Sequence, residues 1–205
     1  MSDDADPDAL IEVSAIDGIV FADRAPRPLL LRRKIWLMLR EVAVGLPDPA
    51  QLRIYEGHRS QSRQFSGWNR QLVTVARDNP EFTVAEVIAE ARRWTADPVD
   101  RPSGHQAGAA VDLTLVINGV ELDMGCPILK IGPKTPTQSE GITRAQDGNR
   151  RSLREIMENV GFLNYNEEWW HFSYNDRLWA EMKIHGVDTG TVGPEHYRYS
   201  AIASY

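Results

Sequence analysis

Val111-Asp112-Leu113-Thr114-Leu115-Val116-Ile117-Asn118-Gly119-Val120-Glu121-Leu122-Asp123-Met124 holds the one strand pairing that local sequence announces by itself. Successive side chains of a strand alternate between faces, so Val111–Ile117 puts Leu113, Leu115 and Ile117 on one side. Asn118-Gly119 is the preferred dipeptide of a two-residue hairpin turn. Val120–Met124 is then the return strand. The elements outside this hairpin mix helices and strands. An antiparallel pairing in that setting favours α+β over a doubly wound parallel sheet. The expectation is a small antiparallel sheet packed with helices.

Outward towards the N-terminus, residues 95–110 carry two prolines and two glycines and read as loop. Thr83-Val84-Ala85-Glu86 is a capping box that opens a helix with the stripe Val84, Val87, Ile88 and Ala91. Phe65, Trp68, Leu72, Val75 and Ala76 form the stripe of an earlier helix. Leu52, Ile54 and Glu56 alternate with Arg53 and Tyr55 in a short strand that ends near Gly57-His58-Arg59. Leu31, Ile35, Met38, Leu39 and Val42 lie at helical spacing, which predicts a helix over residues 28–44 stopped by Gly45, Pro47 and Pro49. Ile11–Phe21 reads as a strand and a turn at Asp17-Gly18. Towards the C-terminus, residues 125–141 make a long loop rich in Gly, Pro and Thr. A loop of that length in a compact domain is usually functional or mobile. Leu153, Ile156, Met157 and Val160 mark a further helix closed by Gly161, and Glu167–Phe172 reads as a strand.

The chain of 205 residues is of single-domain length. The acidic residues 1–8 are expected to fray and residues 9–205 to form one domain. A net charge of −6 argues against nucleic acid or an anionic membrane as partner, because both select a basic face. The single cysteine, Cys126, excludes an intrachain disulfide and a multi-cysteine zinc site. No apolar stretch is long enough for a signal peptide or a membrane span, so the expected compartment is the cytoplasm.

Two of the five histidines stand in unusual settings. His105 lies on a glycine-flanked loop, Ser103-Gly104-His105-Gln106-Ala107-Gly108, and Asp112 follows at the start of the apolar strand. A carboxylate buried there needs a partner, and a cation is one. His171 closes Glu168-Trp169-Trp170-His171. On a strand Glu168 and His171 would face opposite sides, so a twist or bulge is needed to bring them to one centre. Two histidines and an aspartate are a three-ligand set for catalytic zinc, with a nearby glutamate as base. The same residues are also compatible with an ordinary hydrogen-bonded His–Asp pair.

The pattern Ser103-x-His105-x-x-Gly108-x-Ala110-x-Asp112, followed by Glu168-Trp169-Trp170-His171, resembles the zinc D-alanyl-D-alanine dipeptidases of the VanX type. Ile54-Tyr55-Glu56-Gly57-His58-Arg59, Leu122-Asp123-Met124-Gly125 and Asn149–Phe162 resemble further segments of that family, in the same order. The resemblance implies a single domain of the D-Ala-D-Ala metallopeptidase type and one zinc ion per chain, held by His105, Asp112 and His171. It implies Glu168 as general base and Arg59 as oxyanion stabiliser, with Ser103 at the substrate pocket; Trp170, with Trp169, is a further candidate to wall that pocket. The implied reaction is hydrolysis of a small D-Ala-D-Ala-like dipeptide. Alternatives are a D,D-carboxypeptidase or endopeptidase acting on longer cell-wall peptides, or an inactive zinc-binding module that recognises peptides. Two departures stand out. The family's tyrosine before the arginine is His58 here. The aspartate expected shortly after Asp-Met-Gly, which the resemblance assigns to the substrate's ammonium group, is absent from Cys126–Gly132. Glu121 and Glu140 lie near enough in sequence to be candidates for its place.

Overall fold

The computed structural model describes residues 6–185. The elements run β1 (Leu10–Val13), β2 (Ile19–Phe21), β3 (Leu29–Arg32), α1 (Arg33–Gly45), β4 (Ala50–Glu56), α2 (Gln61–Asp78), α3 (Val84–Ala91) and β5 (Ala110–Ile117). They continue with β6 (Val120–Glu121), α4 (Arg144–Asn159), β7 (Leu163–Asn164), β8 (His171–Ser173) and α5 (Arg177–His185). Five strands form a sheet in the order β2-β4-β5-β8-β7, and β6 folds back on β5. Every pairing is antiparallel except β2 with β4. A separate two-stranded ribbon joins β1 to β3. The fold is the α+β arrangement expected from the hairpin.

The hairpin turn is as read, with Asn118 and Gly119 at φ 52° and 78°. The return strand is shorter than expected and ends at Glu121. Asp123 lies beyond it and accepts hydrogen bonds from Gly125 N and Gln146 Nε2 at 2.9 and 2.8 Å. It ties the hairpin to the first turn of α4. The helix expected over 28–44 begins at Arg33, because Leu29–Arg32 pair with β1. Leu29 and Leu31 are buried with strand alternation, and helical periodicity starts only at Ile35. Of the tail expected to fray over residues 1–8, the described part is anchored. Lys34 N donates to Pro7 O at 2.9 Å, and Arg32 meets Asp8 at 3.2 Å.

Two apolar clusters hold the molecule together. The larger joins α1, the sheet and α4 around Ile35, Leu39, Leu52, Ile54, Leu113, Leu153, Met157, Trp170 and Phe172. The smaller lies between α2 and α3 and consists of Trp68, Val75 and Ala91, with Leu72, Phe82, Val87 and Ile88 against it. The capping box at Thr83 and Glu86 is formed. Ala76, read as part of the α2 stripe, is exposed. Asp112 is the one charged residue on β5, a strand buried along almost its whole length.

Candidate metal and catalytic site

The sheet brings the separated motifs together. Asp112 on β5 and His171 on β8 are direct cross-strand partners. His171 Nδ1 lies 3.0 Å from Asp112 Oδ1. His105 arrives from the loop before β5 and puts Nε2 3.3 Å from Asp112 Oδ2. All three side chains are buried. One potential ligand atom from each lies within 4.8 Å of the others. Ligand bonds of about 2.0–2.1 Å in a tetrahedron set donors roughly 3.3 Å apart, which the two Asp112 contacts match, while the widest separation in the set would have to close for one zinc-sized ion to be held.

The second nitrogen of each imidazole is also engaged. His105 Nδ1 meets Gly57 O at 2.8 Å, and His171 Nε2 meets Ser173 Oγ at 3.2 Å. A ring that donates N–H outward leaves the lone pair of the other nitrogen facing the centre, as a metal ligand requires. Gly57 has to be glycine for this contact. A Cβ there would sit 2.7 Å from Leu30 O, so any side chain would push the Gly57 carbonyl away from His105. Ser173 was not singled out from sequence, although its place two residues after His171 puts both on one face of β8.

Glu168 is on a turn, not the strand expected over 167–172. Glu168 N donates to Tyr165 O at 2.9 Å, and His171 N donates to Glu168 O at 3.1 Å. Two consecutive tight turns therefore reverse the chain just before β8. They bring Glu168 Oε2 to 4.0 Å from His171 Nδ1, on the same centre. Burial pushes the Glu168 carboxyl above its ordinary pKa, and the Asp112 charge adds to this. His171, His105 and Arg59 act in the opposite direction. Asp112 responds differently. Burial alone would raise it, but the two imidazoles hold it well below the usual carboxylate range. The centre thus contains one carboxylate held ionised and one whose proton affinity is raised.

Arg59 stands at the edge of this centre and is partly exposed. Its Nη1 donates to Gln64 Oε1 at 3.0 Å, and its Nη2 is 3.6 Å from Glu56 Oε2. Arg63 grips both oxygens of Glu56 at 3.1 and 3.0 Å. Glu56 is buried at the end of β4, in register with Asp112. This buried acid thus pairs with both Arg59 and Arg63. His58 is half-buried, and burial lowers its pKa.

The remaining candidates are placed as follows. Ser103 Oγ accepts from His105 N at 3.2 Å and so shapes the His105 loop. Trp170, expected to face substrate, is 1% exposed and sits in the core, where it offers almost no surface to a peptide. Cys126 is a packed thiol: it contacts Lys134 O at 3.1 Å and accepts from Trp169 Nε1 at 3.4 Å. Glu121 is bound by Arg53 Nη1 at 3.0 Å and by the Tyr55 hydroxyl. Glu140 is exposed. His196 lies outside the described residues. Trp94 is exposed and donates to Glu90 at 2.9 Å.

A family model described as D-ala-D-ala dipeptidase matches residues 13–188. Curated proteins named D-alanyl-D-alanine dipeptidase are similar to this chain. One from Enterococcus faecalis is 33% identical over 137 residues, which cover 63% of this chain and 65% of that protein. One from Streptomyces coelicolor is 33% identical over 132 residues, or 61% and 62% of the two chains. One from Escherichia coli is 28% identical over 147 residues, or 71% and 66%. The match thus spans just under two-thirds of the Enterococcus and Streptomyces proteins. Among solved structures, VanYB in complex with D-alanine-D-alanine superposes with a TM-score of 0.52 at 18% identity, over 91% of this chain and 88% of that one. A zinc(II) complex of the vancomycin-resistance D,D-pentapeptidase VanY gives 0.50 at 18%, over 87% and 85%. These structural likenesses bear on the fold.

Proposed function

Because the chain belongs to the D-ala-D-ala dipeptidase family, we propose that it hydrolyses D-Ala-D-Ala-like dipeptides at one zinc ion held by His105, Asp112 and His171. The observation that carries this reading is the convergence of three buried donors with Glu168 on one centre, both imidazoles having their outer nitrogens occupied. When bound, the ion supplies a Lewis acid for the scissile carbonyl and lowers the pKa of water beside it. Glu168 takes the proton of the attacking water and delivers it to the leaving amine. Its raised proton affinity suits both halves of that transfer. Arg59 faces the charge that develops on the carbonyl oxygen. Its guanidinium stays protonated throughout, and Gln64 and Glu56 hold it from behind. Ser103 acts on the substrate side by fixing the loop that carries His105.

A second reading is favoured by one observation. The Cys126–Gly132 segment contains no carboxylate, and Glu121 is already bound by Arg53 and Tyr55. A site without an acid for the substrate's ammonium group would accept the blocked amino end of a longer peptide, as a D,D-carboxypeptidase does. One experiment tests both readings. Zinc-loaded protein is assayed on D-Ala-D-Ala and on its N-acetyl form, before and after chelation. Chelator-reversible cleavage of the free dipeptide supports the first reading. Preference for the acetylated form supports the second, and cleavage of neither refutes both.

A further inference from the structure

We propose that Asn164 is the positioning residue for Glu168, holding the turn that presents the general base. The inference rests on the reading of Glu168 given above. Among the described residues no hydrogen bond holds the Glu168 carboxylate, and its nearest ionic neighbour is His171 Nδ1 at 4.0 Å. The backbone of the turn therefore sets where the base stands. His171 differs, because the β5–β8 ladder fixes its backbone and Asp112 and Ser173 fix its ring.

The turn has a specific interior. The carbonyls of Glu168, Trp169 and His171 converge on one point, and Asn164 Nδ2 donates to them at 3.2, 3.3 and 3.0 Å. Converging carbonyl dipoles repel unless a donor stands among them. Asn164 is 1% exposed, so water has no access to take that place. The other end of the carboxamide is fixed as well, since the Thr137 hydroxyl donates to Asn164 Oδ1 at 2.5 Å. From outside, Thr137 N donates to Asn166 O at 2.7 Å, and Trp169 N donates to Thr135 O at 3.2 Å. The 134–137 segment is held in turn by Arg150 of α4, which donates to the carbonyls of Lys134, Pro136 and Thr137. A continuous hydrogen-bonded chain thus runs from α4 through Thr137 and Asn164 to the peptide units that directly follow the Glu168 side chain. An aspartate at 164 would bring a carboxylate oxygen against three carbonyls, and an aliphatic side chain would leave them unpaired. A carboxamide has both the donors and the acceptor that the place requires.

The test is a kinetic comparison of zinc-loaded variants on D-Ala-D-Ala, with zinc content and thermal midpoint measured in parallel. A residue that only supports the fold would lower the midpoint and leave kcat per folded molecule unchanged. Asn164→Ala is expected to keep one zinc per chain and change KM by less than about threefold. Its kcat should fall by roughly 10–100-fold, the scale of a small misplacement of a reacting group. Combined with Glu168→Gln it should cost less than about twofold more, because a residue acting through Glu168 has nothing further to lose. If Asn164→Ala does not fold, Thr137→Val decides. It removes only the hydroxyl donor to Oδ1 and should show the same kcat-selective pattern at about 3–10-fold. Wild-type kcat in folded Asn164→Ala, or in Thr137→Val where that variant decides, overturns the proposal. So does a loss that excess zinc restores, or one that adds in full to Glu168→Gln. Wild-type activity of Glu168→Gln itself overturns the role of Glu168, whereas activity lost there and retained in Asn164→Ala overturns the positioning role alone.

Discussion

Replacing Arg150 with methionine should destabilise the protein by about 3–5 kcal/mol, the usual cost of breaking a buried charged network. The structure shows why. Arg150 is 2% exposed and has no carboxylate partner in its hydrogen-bond set. It donates to Met124 O, Pro136 O and Lys134 O at 2.7, 2.6 and 2.7 Å, and more weakly to Thr137 O at 3.3 Å. Three short charge-assisted bonds at roughly 1.5–3 kcal/mol each sum to roughly 4.5–9 kcal/mol. Methionine recovers part of this because no guanidinium has to leave water, a cost of several kcal/mol per ion. The carbonyls it leaves behind keep the balance unfavourable. At roughly 2–4 °C per kcal/mol for a domain of this size, the thermal midpoint should fall by about 6–20 °C. Scanning calorimetry of the zinc-loaded protein measures it. Lysine should not rescue, because one ammonium cannot reproduce the planar fork that spans four carbonyls. A midpoint within about 2 °C of wild type for Arg150→Met would refute the reasoning, since the loop would then be held by other contacts.

Three further outcomes follow from the site. His105→Ala and His171→Ala should each lose bound zinc, whereas a variant of Glu140, which is exposed, should keep it; elemental analysis of the purified proteins distinguishes them. Glu168→Gln should retain zinc and lose kcat by roughly 10²–10⁴-fold, and retained kcat with full zinc would exclude the base role. Arg59→Ala should lower kcat by roughly 10²–10³-fold and raise KM less, while a KM-only defect would assign Arg59 to ground-state binding.

The parts of the molecule legible in sequence were those with local signals. Asn118-Gly119 fixed the hairpin because few other dipeptides tolerate two positive φ values. His105, Asp112 and His171 stood out through their motifs, and the sheet brings them together as those motifs implied. What sequence missed is non-local or ambiguous. Leu29, Leu31 and Ile35 satisfy strand alternation and helical spacing at once, so the partner strand β1 decides where the helix starts. Glu168 was read on a strand because aromatic residues favour strands. The double turn forms instead because Asn164 and Thr135, four to seven and more than thirty residues away, bind its backbone. Nothing in the local sequence marks either partner. Glu56 is close enough in sequence to suggest a surface pair with Arg59, but its burial and its second partner Arg63 depend on where α2 begins.

The division of the apolar interior into two clusters bears on how the metal site responds to local opening. Asp112 and His171 belong to strands sealed in the larger cluster, so their amides should exchange with solvent only when the whole domain unfolds. His105 hangs from the loop that follows α3, whose packing partner is α2 across the smaller cluster. One ion shared by these three residues would act as a cross-link between two cooperative units of unequal strength. Its binding energy would fall mainly on the weaker unit. Zinc would then suppress a partial opening of residues 61–102 that leaves the sheet and the His105 loop tied to it intact, and hydrogen exchange in that span, more than the global melting temperature, would record whether the metal is bound.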